Sequence, residues 1–386
     1  MSLFTYTAAE LYSWVTGKED IVVVDVRNTI DFGKFHLESP FPVEMHNIPY
    51  FDFIEDEEGS VARVSPERRI RIVCAKESSA RFVAEIFDRH GFTDVGYLEG
   101  GIKSWGNLLV PVLLNPGADF SLYQFIRPGK ASCSYGLIYR DELMLFDPSR
   151  NVGFYLDFAA RHDCRLVATF ETHLQADYIA GSRLLAAATG ARFYANDRDF
   201  AHARINYGTL KDGEIHTFAQ TGGPTVRVLF TPGHTPGSTS FIVNEQYLIS
   251  GDSIFIHSIG RPDLGGKVDE WSGALFRTLR TLWALDDGMI VLPGHYMSWD
   301  EADDNLTFAA TLARTREYNS DIHAISDSAA FLAFIKANMR KQPDEYAAIR
   351  RINANLEEVD DERAEELDLG KNECAAEAHA ASKAGK

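Results

Sequence analysis

Val226-Arg227-Val228-Leu229-Phe230 runs directly into Thr231-Pro232-Gly233-His234-Thr235-Pro236-Gly237-Ser238. The first part has the apolar pattern of a strand; the second is a proline- and glycine-rich turn that sets an imidazole at the strand's end. Three other stretches repeat this arrangement: Glu171-Thr172-His173-Leu174-Gln175-Ala176-Asp177-Tyr178, Ser250-Gly251-Asp252 and Leu292-Pro293-Gly294-His295. Each follows an apolar run and carries side chains of metal-ligand type. Strand tips of this kind can meet at one edge of a layered sandwich, and glycines beside His234, Asp252 and His295 leave room to aim the side chains. A lone His among twelve is ordinarily a surface or packing group, and a lone Asp a turn residue. Four such stretches in order point to a metal centre.

Around them, Tyr135–Tyr139, Leu143–Asp147, Thr239–Val243 and Tyr247–Ser250 read as further strands, with helices expected near 152–162, 177–189, 271–285 and 301–316. Strands with helices between them make an α/β sandwich over 118–357. Upstream, Ile21–Arg27 and Arg69–Cys74 are continuous apolar runs, the pattern of strands buried on both faces of a parallel sheet. Phe82, Val83, Ile86 and Phe87 recur at helical spacing before a stop at Gly91, and Val95–Leu98 completes a βαβ unit. Residues 1–113 thus read as a small α/β domain of parallel strands and flanking helices. Two prolines and a glycine between Val110 and Asp119 mark the boundary. After Glu357 the chain turns acidic and then Ala-rich, so 358–386 is expected to be a mobile tail.

The chain has 386 residues, enough for two domains, and 38 basic against 56 acidic side chains give a formal charge of −18. That balance argues against a nucleic-acid partner, whose affinity rests on Lys and Arg. Hydrophobic residues make up 45%, which excludes general disorder. No run of about 18 apolar residues suggests a membrane span. Met1–Glu10 lacks the basic and apolar regions of a signal peptide, and four scattered cysteines do not make a disulfide framework. A cytoplasmic protein is expected. Cys133 and Cys164 lie in or beside apolar runs and read as packing.

Cys74 stands where a buried strand ends and a helix begins, a place where backbone N–H groups and the helix dipole can hold a thiolate. Together, Asp25-Val26-Arg27, the loop from Cys74 to Arg81, and Leu98-Glu99-Gly100-Gly101-Ile102-Lys103-Ser104-Trp105 resemble a rhodanese domain. The resemblance implies that Cys74 accepts sulfane sulfur as a persulfide and passes it to an acceptor. Rhodanese loops commonly place Arg five residues after the Cys and Ser or Thr at six. Here Ser79 and Ala80 take those places, Arg81 comes later, and Glu77 adds a negative charge. A persulfide donor suits this loop better than thiosulfate.

The four downstream stretches resemble the metallo-β-lactamase superfamily, which implies an αββα sandwich. The family's first motif is His-x-His-x-Asp-His, and this chain has Gln175 and Tyr178 where the second and last His would be. The resemblance implies two metal positions bridged by Asp252: the first keeps His173, His234 and Asp252, while the second keeps Asp177, His295 and the shared Asp252 but has lost its His, so a single ion at the first is expected, with Asp177, Tyr178 and His295 beside it. Two imidazoles and one carboxylate are the ligand set of non-haem Fe(II) oxygenases. The retained trio is similar to that of the persulfide dioxygenases, which use O2 to turn a thiol persulfide into sulfite and free thiol. Gly260-Arg261-Pro262-Asp263 extends the likeness, with Arg261 expected to bind substrate, or else to form a salt bridge with Asp263.

The expectation is therefore a bifunctional enzyme with one Fe(II) per chain, acting on glutathione persulfide or a similar thiol persulfide, with sulfite and thiosulfate as its sulfur products. It would be a homodimer or tetramer. Two alternatives stay open: a zinc-dependent thioester hydrolase of glyoxalase II type with a regulatory rhodanese domain, and a non-catalytic sulfur-binding or redox-sensing scaffold.

Overall fold

The computed structural model describes residues 3–339 and 341–376. The chain forms two compact units, one from the residues up to Val110 with Arg127–Lys130 and Leu369–Lys371. The other comprises Pro111–Ile126, Ala131–Asp368 and the segment from Asn372.

The first unit is built on five parallel strands in the order Leu3–Tyr6, Val95–Leu98, Ile70–Val73, Val22–Asp25, Glu44–Asn47. Val22–Asp25 and Ile70–Val73 are buried at every position, as uninterrupted apolar runs require. Helix Glu77–Arg89 covers them with Ala80, Val83, Ala84, Ile86 and Phe87, while Phe82 turns outward and is exposed. The chain then leaves the helix through Gly91 at φ +88°.

The second unit holds two sheets. One runs Gly208–Thr209, Arg192–Ala195, Arg165–Phe170, Glu142–Phe146, Ser132–Tyr139, Ser121–Arg127, Val110–Leu113. The other runs Ile215–His216, Val226–Phe230, Thr239–Val243, Tyr247–Gly251, Ile290–Pro293, Ala310–Thr311. They pack face to face: Phe146 and Phe170 of the first sheet lie 5.2 and 5.3 Å, ring to ring, from Phe241 of the second. Helix Ser182–Thr189 packs on the first sheet, and helix Val268–Leu282 sends Leu275, Leu279 and Leu282 into the core beneath the second. The arrangement is an αββα sandwich.

Two helices differ from the sequence reading. Residues 177–181 are not helical, because their N–H groups are drawn outward: Ile179 donates to Asp368 Oδ1, Ala180 to Asn353 Oδ1 and Gly181 to the Pro148 carbonyl. The helix starts at Ser182. Between 301 and 311, Asp303 accepts from the N–H groups of Asn305 and Thr307, a local turn that competes with helix. The helix there begins only at Leu312, capped by Thr311.

The segment expected to be a mobile tail is structured as far as it is described. Asp361–Asp368 forms a helix with Ala364, Leu367 and Asp368 buried, and Ala375 bridges to Gly260. Its few apolar side chains find partners in Ile179, Ile349 and Ile352, which the acidic composition hides. Residues 377–386 lie outside the described residues. No described helix is long and apolar enough to cross a membrane.

Phe170 is fully buried, with Phe146 and Tyr194 stacked at 5.0 and 5.1 Å. Phe170→Ala should lower the second unit's stability by about 3–5 kcal/mol, read as an earlier urea unfolding transition; a loss below about 1 kcal/mol would contradict this packing.

Candidate metal centre

His173, His234 and Asp252 come from three strand ends and meet in the interior of the second unit, each at most 2% exposed. His173 Nε2 lies 3.8 Å and His234 Nε2 3.5 Å from Asp252 Oδ2. None of these three atoms has a hydrogen-bond partner among the described residues. Unpaired polar atoms so deeply buried are costly. An ion bonded at about 2.0–2.2 Å to each donor produces separations of this size. The three residues fit a divalent metal ion.

The surrounding hydrogen bonds set both rings for ligation. Thr172 Oγ1 donates its proton to Asp147 Oδ2 at 2.7 Å, so at 2.9 Å from His173 Nδ1 it can only accept. His173 therefore carries its hydrogen on Nδ1 and turns a lone pair at Nε2 toward Asp252. His234 Nδ1 donates to the Arg261 carbonyl at 2.9 Å with the same result. Burial also keeps both rings neutral, pushing His173 down to about 3 and lowering His234. Asp252 moves the other way: burial opposes its charge, but His295, His173 and His234 outweigh burial and hold the carboxyl below its usual range.

His295 joins the cluster from the side, with Nδ1 2.7 Å from Asp252 Oδ1 and Nε2 2.8 Å from Asp177 Oδ2. Burial disfavours its charged form, yet the Asp177 and Asp252 carboxylates prevail and push it up to about 10. Gly294 permits this approach, since a Cβ there would lie 2.5 Å from Asp252 Oδ1. Gly251 sits at φ +51°, with Thr172 Oγ1 2.5 Å from where its Cβ would be. A side chain at either position would displace Asp252 or the hydroxyl that orients His173.

The Gln175 side chain is buried beside the cluster, its amide oxygen without a hydrogen-bond partner among the described residues, and the Tyr178 hydroxyl donates to the Asp147 carbonyl at 3.2 Å. Arg261 pairs with Asp263 through Nε and Nη2 at 2.7 and 2.8 Å, and its Nη1 donates to the Glu373 carbonyl. The salt bridge with Asp263, one of the two roles the sequence leaves open for Arg261, is present. One residue the sequence reading passed over belongs here. Cys374 is fully buried, and its Sγ lies within 4.8 Å of ligand atoms of Asp177 and His295. Nothing in its Ala-rich surroundings signals this.

In the first unit, Cys74 directly follows the strand Ile70–Val73 and is almost wholly buried. Burial pushes its thiol up, against the backbone N–H groups of Lys76 and Ala75, which favour the thiolate. The turn at Gly101 presses on the loop, with the Ile102 N–H bonded to the Cys74 carbonyl at 2.8 Å. Glu77 accepts from the Gly100 N–H at 3.1 Å, and Arg81 pairs with Glu85 on the exposed side of its helix. Neither side chain's charge is spent on the thiol.

Residues 128–295 match the profile of the metallo-beta-lactamase superfamily, and residues 7–108 that of the rhodanese-like domain. A hydroxyacylglutathione hydrolase of Anaeromyxobacter dehalogenans is 32% identical over 186 residues, 48% of this chain and 68% of that protein. The chain belongs to the metallo-β-lactamase superfamily. Among solved structures, a metallo-beta-lactamase from Staphylococcus aureus superposes with TM-score 0.54 at 25% identity, covering 61% of this chain and 73% of that one. ETHE1 from Myxococcus xanthus gives 0.53 at 23%, covering 61% and 98%, and shares the superfamily fold. Within that superfamily fold, His173, His234 and Asp252 are the candidate metal-binding residues.

Two outcomes follow. Gly294→Ala should weaken metal binding about 10–100-fold by shifting Asp252 and His295, measured by competition with a chromophoric chelator; unchanged affinity would refute the tight fit. At Cys74 the raised pKa means that the thiolate is scarce at neutral pH and grows as pH climbs through the raised value. Alkylation mapped to Cys74 should therefore have its midpoint above about 8.5, and a lower midpoint would show that the backbone N–H groups outweigh burial.

Proposed function

We propose that the second unit oxidises the outer sulfur of a thiol persulfide, so that persulfide, dioxygen and water give free thiol and sulfite. The first unit carries sulfane sulfur on Cys74. The observation behind this reading is the ligand set of two neutral imidazoles and one carboxylate, His173, His234 and Asp252, with an amide, Gln175, where a third imidazole would stand. That set suits a single Fe(II) ion, which when bound would supply the redox chemistry joining dioxygen to sulfur.

The chain's own residues have definite parts in this. His173 and His234 offer nitrogen lone pairs fixed by Thr172 and the Arg261 carbonyl, and Asp252 brings the negative charge that balances the cation. The burial of all three keeps bulk water from a reactive sulfur species. Cys74 serves the same chemistry: tethering keeps a sulfur-transfer product at high local concentration for the oxidising unit, and sulfite can meet persulfide sulfur to form thiosulfate. A thiol persulfide such as glutathione persulfide is the proposed substrate, in a cytoplasmic setting.

A second reading, thioester hydrolysis by zinc, has one observation in its favour, the hydroxyacylglutathione hydrolases among the relatives. The neutral Gln175 counts against it, because that chemistry draws on two ions well supplied with imidazole.

Iron-loaded protein should consume oxygen with glutathione persulfide and release sulfite, and His173→Ala, His234→Ala and Asp252→Ala should each abolish the uptake. Hydrolysis of a glutathione thioester without oxygen uptake would overturn the proposal in favour of the zinc reading. Cys74→Ser should stop sulfur transfer and spare oxidation of added persulfide; equal loss of both would contradict separate roles for the two units.

A further inference from the structure

We infer that a cleft at the free edge of the first sheet of the second unit binds a small organic polyanion of the nucleoside diphosphate class. The cleft has a volume of about 770 Å³. It lies where helix Ser182–Thr189, strand Arg192–Ala195 and the loop leading into the edge strand Gly208–Thr209 come together. Small-molecule sites commonly enclose about 300–1,000 Å³. None of His173, His234, Asp252 and His295 lines it. The inference therefore stands apart from the proposed oxidation and from the identity of the ion at the metal centre.

Three cations line the cleft: Arg183 from the first turn of the helix, Arg192 from the start of the strand and Arg204 from the loop. No Asp or Glu lines it. Elsewhere in the chain Arg27, Arg71, Arg165, Arg227 and Arg261 each pair with a carboxylate. Among the described residues, Arg183, Arg192 and Arg204 form no ion pair. Arg192 Nη1 donates to the Tyr194 hydroxyl at 3.4 Å, a neutral partner. In a chain of formal charge −18 this is a local reversal of sign. A solitary arginine at the surface is ordinarily a solvated side chain. Three on one concave wall focus a positive potential into the cleft, and each guanidinium fork matches the oxygens of a phosphate.

The rest of the lining suits a ligand with a flat body. Tyr194 and Tyr207 present rings that are held in place: Tyr194 stacks on Phe170 at 5.1 Å, and the Tyr207 hydroxyl donates to Asp197 Oδ1 at 2.9 Å. The same carboxylate oxygen accepts from Thr209 Oγ1, so Asp197 is engaged by two hydroxyls. Position 208 must be glycine, because a Cβ there would lie 2.7 Å from the Tyr194 ring. Fixed rings offer a stacking face at little cost in side-chain entropy, and Asn206 adds an amide that can both donate and accept at a base edge. Guanidinium groups alone would serve any inorganic polyanion; rings beside them favour a nucleotide.

Calorimetric titration of metal-free full-length protein with ADP, at low salt and without added divalent ions, tests this. Wild-type protein should bind one equivalent, and Arg183→Ala and Arg204→Ala should each weaken binding about 10-fold or more, with urea unfolding unchanged. Pyrophosphate should bind at least about 10-fold more weakly than ADP, for want of the ring contacts. His173→Ala should bind ADP as the wild type does, because the cleft is separate from the metal centre. Absence of binding at about 1 mM ADP would overturn the inference. Pyrophosphate binding as tight as ADP, wild-type affinity in both arginine variants, or loss of binding in His173→Ala would do so equally. These readouts involve neither oxygen nor persulfide, so failure of the oxidation proposal leaves them unchanged.

Discussion

The Asp252 carboxylate is the constraint on which the second unit's interior is arranged. A carboxylate removed from water is tolerable only when paired or bound to a cation. Here one oxygen faces His295 and the other faces the free nitrogens of His173 and His234. Around that oxygen the fold spends hydrogen bonds of Thr172, Asp147 and the Arg261 carbonyl only on the far sides of the rings. Glycines at 251 and 294 supply the space. Without a cation, three polar atoms would be buried facing one another; with one, each has a partner. The strand ends are therefore built for an ion.

Much of this could be read from the chain. His173, His234, Asp252 and His295 each follow an apolar strand with turn residues beside them, and period and turn chemistry are local signals. The strands Val22–Asp25, Ile70–Val73, Val226–Phe230 and Thr239–Val243 were legible for the same reason. What escaped depended on distant partners. Residues 177–181 look helical until Asp368 and Asn353 take their N–H groups, and those partners lie far downstream. Cys374 is invisible as a site residue because only the return of the chain past Gly260 brings it to Asp177 and His295. Arg261 could be read two ways from its neighbours, and the bidentate pair with Asp263 is the nearer one.

The two candidate sites differ in how they treat charge. In the first, Cys74 sits on a loop whose backbone N–H groups favour negative charge while burial opposes it, so the reactive form is held in reserve. In the second, two imidazoles and a carboxylate surround a place for a cation, where charge is brought in by the ion. Under the proposed function, sulfane sulfur is the species that links the two: a polarisable, readily oxidised atom that one thiol would carry and a metal would handle.

The most direct measurement of the central claim is crystal diffraction from iron-loaded protein recorded on both sides of the iron absorption edge. The account predicts an iron-specific anomalous peak bonded to His173 Nε2, His234 Nε2 and an Asp252 oxygen. The absence of iron between these three side chains, with zinc in its place, would contradict it.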